Sequence, residues 1–202
     1  GDTTEIDLTW YLDNYQDHYK CNPGSYCSSV IGYEGKGSLY SCLKPYGCIS
    51  LSSGSGTQNT NFSEFSISME VIKGCPHIEK IVNLCLGYMQ IMLQDTDHED
   101  RYNLVSRLSR RQFDYGSEPN PIKLVEKMAI SMELFEDEYY LGGLLREYDA
   151  TVMNSYIKQL ATSLPLVFIY GRSFNDENEE KLGGDETTTS DIKVEPIYGT
   201  EY

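Results

Sequence analysis

A chain of 202 residues with 31 acidic and 16 basic side chains carries a formal net charge of −15, which repels phosphate backbones and anionic headgroups and argues against nucleic-acid or membrane-surface binding. The sequence pI is near 4.5, a balance that would attract a basic protein partner. The length suffices for one domain with a sizeable core, and the longest apolar run, Leu164 to Tyr170, is broken by Pro165 and falls far short of the roughly 20 residues that span a bilayer.

The opening Gly1-Asp2-Thr3-Thr4 leads straight into acidic sequence with no apolar signal core, so a mature form is expected. Thr4 as N-cap, Asp7 at the third helical position, and Leu8, Tyr11/Leu12, Tyr15 and Tyr19 at helical spacing predict a helix over 4–20. Ile6, Leu8, Trp10 and Leu12 also alternate as a strand would. Residues 21–60 are dense in glycine, with Pro23 and Pro45, and predict a loop region without long regular structure. Within it, Gly35-Lys36-Gly37-Ser38 lacks the spacing of a phosphate-binding loop and reads as a glycine-rich hairpin.

All six cysteines, Cys21, Cys27, Cys42, Cys48, Cys75 and Cys85, lie in the first half of the chain. An even set, partly in short spaced pairs, reads as a disulfide framework from an oxidising compartment, and the protein is expected to be secreted and extracellular. Asn61-Phe62-Ser63 is a candidate glycosylation sequon.

From 62 the pattern becomes helical, with Phe62, Phe65, Met69 and Ile72 on one face ending at Gly74. Pro76 starts the next helix, in which Ile78, Ile81/Val82, Cys85, Tyr88/Met89 and Met92 continue an apolar stripe to 94. Cys75 at its head and Cys85 within it are roughly 15 Å apart along a helix, too far to pair with each other, so each should bridge back to a cysteine between 21 and 48. Further helices are predicted over 98–110, 119–141 and 144–164, with Leu166 to Tyr170 as a strand or final turn. Residues 172–202 are acidic and poor in apolar side chains, the composition of a disordered tail.

No metal, cofactor or catalytic residue is expected. His18, His77 and His98 lack the closely spaced paired ligands of a zinc module. An even cysteine set leaves no free thiol as nucleophile. Glu133, Glu136, Asp137, Glu138, Glu147 and Asp149 read as solvated helix faces, and Asp95-Thr96-Asp97-His98-Glu99-Asp100 lacks the mid-loop glycine of a calcium loop. Arg107-Leu108-Ser109-Arg110-Arg111 has the composition of a dibasic processing site at Arg110 and Arg111, although a basic helix end complementing its dipole is the preferred reading, since the segments on both sides look needed for one bundle core. Glu195-Pro196-Ile197-Tyr198 and Glu201-Tyr202 make Tyr198 and Tyr202 candidate partner contacts.

Cys21-Asn22-Pro23-Gly24-Ser25-Tyr26-Cys27 and Cys42-Leu43-Lys44-Pro45-Tyr46-Gly47-Cys48 form two cysteine–tyrosine–cysteine units. In this the chain resembles the bicycle family of secreted aphid salivary effectors. The resemblance implies delivery in saliva and action by binding a host component, with Tyr26 and Tyr46 packing on disulfides.

The expectation is thus an all-α protein: a single disulfide-reinforced domain over 1–171, with a stapled loop region at 21–60 held on a bundle of about five helices within 62–170, and a disordered acidic tail. Its expected function is that of a secreted non-enzymatic effector that binds an unidentified, basic protein. The alternative is a secreted ligand, toxin or inhibitor with an acidic tyrosine-containing tail, processed after Arg111.

Overall fold

A computed structural model describes residues 3–56, 61–116, 120–141, 145 and 147–171. The described residues form a four-stranded antiparallel sheet and six α-helices: β1 (Thr3–Leu12), α1 (Pro23–Ile31), α2 (Leu39–Leu43), β2 (Cys48–Gly56), β3 (Ser63–Ile72), α3 (Ile78–Gln94), α4 (His98–Tyr115), α5 (Pro121–Leu134), α6 (Ala150–Thr162) and β4 (Leu166–Tyr170). The sheet order is β2-β3-β1-β4, so the first strand is central and β2 and β4 are the edges.

The all-α expectation is therefore wrong, and the reason lies in the period of the apolar residues. Ile6, Leu8, Trp10 and Leu12 on β1 are buried while Glu5 and Tyr11 are exposed, the period-two pattern of a strand with one covered face. The same holds for Phe65, Ile67, Met69 and Val71 on β3. The helical stripe drawn through Phe62, Phe65, Met69 and Ile72 passed over Ile67 and Val71, which belong to the core. In the β1/β3 register Trp10 faces Phe65, and their rings meet edge-on at 6.3 Å.

β2 runs through the segment expected to be irregular. Its glycines are tolerated because it is an edge strand, and a register shift at Cys48/Ser50 absorbs the local distortion. Gly24 in the first turn of α1 is a matter of space: a Cβ there would lie 2.5 Å from Ser55 Cβ, so the helix rides directly on β2. Ser28 and Ser53 lock the same pair of elements, Ser28 Oγ donating to Ser53 O at 2.6 Å and Ser53 Oγ donating to Ser28 O at 2.9 Å.

Helices cover one face of the sheet. α6 lies against β1, α1 and α3, and Tyr156 from α6 meets Phe65 edge-on at 6.3 Å. Trp10 Nε1 donates to Ser163 O at 3.3 Å, closing the end of α6 onto the sheet. α5 is largely outside this core, with Ile122 70% and Val125 65% exposed. All five residues of β4 are exposed, on both faces of the strand.

All six cysteines are free thiols, which overturns the disulfide framework. They are distributed over separate elements. Cys27 is on α1, Cys42 on α2, Cys48 on β2 and Cys85 on α3, and every one except Cys42 is buried as a small apolar side chain. Cys85 Sγ sits 3.6 Å from Met69 Sδ and packs α3 on β3. The even count thus reflects burial, not bridging.

Candidate functional site

α1 is started by Asn22, whose side chain accepts from Ser25 N at 3.2 Å, with Pro23 in the first turn where its missing N–H costs nothing. This fixes Tyr26, fully buried, under the start of α4. The Tyr26 hydroxyl lies 2.9 Å from His98 Nδ1, and His98 Nε2 lies 2.8 Å from Met92 O. A carbonyl can only accept, so neutral His98 carries its proton on Nε2 and Nδ1 accepts from Tyr26. One hydroxyl–imidazole–carbonyl chain thereby ties α1, α4 and the last turn of α3 together.

Above that tie the three helices and the loop after α1 enclose a groove of about 660 Å³. Its apolar walls include Tyr33, Tyr88, Ile91, Leu104, Val105 and Leu108, and Lys36 and Arg101 stand at its border. Ile91 is 65% exposed and Leu108 54%, unusual positions for aliphatic side chains on amphipathic helices. Arg101 is held by the Asp95 carboxylate, whereas Lys36 has no ion-pair partner among the described residues.

A second surface is the uncovered face of the sheet. Glu5 stands directly opposite Glu70 in the β1/β3 register, and Asp7 opposite Ser68. With Ser50 and Ser52 of β2 they line a shallow acidic, hydroxyl-rich depression. At the β4 edge of this face Phe168 and Tyr170 stack with centroids 6.3 Å apart and planes inclined by 8°.

The described residues contain no group of three or more His, Cys, Asp or Glu able to hold a metal. Each histidine instead sits against a tyrosine of its own neighbourhood: His18 on Tyr15, His77 on Tyr46, His98 on Tyr26. His98-Glu99 begins as an H-E-x-x-H zinc helix would, but Tyr102 occupies the second ligand position and both His98 nitrogens are engaged. The described residues do not fit a catalytic zinc.

The buried thiols of Cys27, Cys48 and Cys85 are not poised as nucleophiles either. Burial pushes Cys85 up to about 12 and Cys48 up to about 11, with neighbouring thiols adding to both, and it raises Cys27 further still. Asn61 is exposed just before β3. Arg110 and Arg111 lie within α4, where Arg110 Nε donates to Asp114 Oδ2 at 3.0 Å. Tyr198, Tyr202 and the segment 172–202 expected to be disordered lie outside the described residues. The groove was not foreseen from sequence, although Leu104 and Leu108, four apart on one face of a helix rich in charged residues, signal it.

No protein-family profile matches the chain. Over 98% of its length the chain is similar to nardilysin, 31% identical to the rat and human proteins, of which it covers 16% and 17%. It is 24% identical over its whole length to insulin-degrading enzyme of Drosophila melanogaster, covering 19% of that protein. The chain thus spans about a sixth to a fifth of the curated relatives it matches. Among solved structures, pitrilysin superposes with a TM-score of 0.74 over 83% of the chain and 18% of its own, at 17% identity. The inactive peptidase domain of a protein described as a zinc protease, from Bordetella parapertussis, superposes with a TM-score of 0.63 over 85% of the chain and 91% of its own, at 12% identity. The fold is the α/β fold of these structures.

These findings correct the sequence reading of function. Similarity along nearly the entire chain to peptidases, which act on peptide substrates, replaces the bicycle resemblance, which rested on two cysteine–tyrosine–cysteine units. Tyr26 packs on His98 and Tyr102, and Tyr46 on His77, so neither packs on a disulfide. The non-enzymatic effector is overturned with it. So is the secreted, salivary assignment: it depended on disulfides that the structure lacks, and a relative 24% identical over 98% of the chain is a peroxisomal insulin-degrading enzyme-like protein of Arabidopsis thaliana.

Proposed function

We propose that this chain is one α/β module of a longer zinc-dependent peptidase, and that the module helps to enclose and hold the peptide while zinc ligands come from elsewhere in the polypeptide. The observation that carries this reading is the match of 98% of the chain to only 16% of a relative, on a fold whose own histidines are each taken up by local packing. The described residues act as a single unit, in which the helices brace one face of the sheet and leave the other open. Exposed β4 and α5 are the surfaces through which the module meets the rest of the polypeptide, since apolar residues left bare on an edge strand otherwise invite aggregation. The acidic face around Glu5, Asp7 and Glu70 draws basic stretches of a peptide by charge.

The test is deletion and add-back. A longer polypeptide lacking this segment should lose cleavage of a quenched fluorescent peptide, and adding the 202-residue chain in trans should restore part of it. Cleavage unchanged by the deletion would refute the assignment.

A further inference from the structure

We infer that the groove between α1, α3 and α4 is a docking site for an apolar peptide segment that carries a carboxylate, separate from the acidic sheet face; the inference rests on reading the chain as part of a peptidase. The groove's volume of about 660 Å³ lies in the range of sites that bury a short peptide segment or drug-sized ligand. Its walls place Tyr33, Ile91, Leu104 and Leu108 partly in solvent, each 50% exposed or more, so the apolar surface is already formed and awaits cover. Ile91 stands on α3 and Leu104 and Leu108 on α4, and the Tyr26–His98–Met92 chain ties both helices to α1, from which the loop carrying Tyr33 departs. The site is therefore preformed, and binding costs little ordering of the protein.

Charge selects the occupant. On a chain of net charge −15, the groove border presents Lys36 and Arg101 against a single carboxylate, Asp95. Asp95 is consumed by Arg101, which leaves the Lys36 ammonium for the ligand. An apolar peptide with a basic residue at the same end would meet that cation and be rejected, and one with a neutral end would lose the ion pair while still displacing water from Lys36. Apolar side chains enter between α3 and α4, and the carboxylate meets Lys36 Nζ.

The experiment is fluorescence anisotropy on the 202-residue chain, with three probes: a fluorescein-labelled, C-terminally amidated Leu-Ile-Leu-Phe-Glu peptide, its amidated counterpart ending in Lys, and the first peptide with decanoate as competitor. Binding needs no cleavage, so failure here and failure of the peptidase reading are read separately. The Glu peptide should bind at least tenfold more tightly than the Lys peptide. Lys36→Glu should erase that preference, Leu104→Asp should weaken binding at least tenfold, and Arg111→Glu, outside the groove, should leave it unchanged. Circular dichroism checks that each variant is folded. Equal affinity for both peptides, or binding indifferent to Lys36→Glu and Leu104→Asp, would overturn the inference. Displacement of the labelled Glu peptide by decanoate at a lower concentration than by the unlabelled Glu peptide would overturn the assignment to a peptide.

Discussion

Tyr26 donates to His98 Nδ1 at 2.9 Å, and because His98 Nε2 must donate to Met92 O, the contact has a fixed direction. Tyr26→Phe removes the donor and leaves a buried imidazole nitrogen without a partner. We expect a loss of about 1–3 kcal/mol, read as a lower midpoint in urea with unchanged slope. His98→Ala should cost more, since it also opens a cavity and releases Met92 O.

The thiols provide a second test. In the native protein only Cys42 is exposed, so an aromatic disulfide reagent should titrate one thiol quickly and the others only on unfolding, reaching six. Fewer than six thiols in the unfolded, unreduced protein would show bridges the structure does not contain.

Stability should fall on the alkaline side. Cys85 and Cys48 have folded values of about 12 and about 11 against an ordinary 9.0, because burial disfavours the thiolate. A raised folded value means that the unfolded chain ionises first. The stabilisation is full below pH 9 and is lost as pH rises toward 11 or 12. By pH 11 the loss should reach roughly 2–4 kcal/mol, measured by thermal melting from pH 7 to 11 under reducing conditions. Cys85→Ala should flatten that slope.

Edge strand β4 is expected to be dispensable for stability but not for association. Phe168→Lys, on the open sheet face beside Asp7 in the register, should suppress self-association of the isolated chain in sedimentation experiments while moving the melting temperature by less than about 2 °C. A large drop in melting temperature would mean that β4 is part of the core.

How far the sequence could be read depends on which residues share a period. The apolar stripe Ile81, Cys85, Met89 and Met92 has no competing alternation, and α3 runs from Ile78 to Gln94 beside the expected Pro76 start. Ile6 to Leu12 satisfied both periods, and only pairing with β3 from the far side of residues 21–60 decides for a strand. Buried cysteines look alike in sequence whether bridged or packed. The groove depends on α1, α3 and α4 converging from residues far apart in the chain, so only Leu104 and Leu108 could have hinted at it.

The most direct test is cleavage of a quenched fluorescent peptide by the longer polypeptide that contains this chain, with and without a chelator. Cleavage should be abolished by the chelator and restored by zinc, while the isolated chain binds no stoichiometric zinc. Absence of cleavage by the longer polypeptide with zinc present, or one tightly bound zinc per isolated chain, would contradict the proposal of a peptidase module whose zinc ligands lie elsewhere.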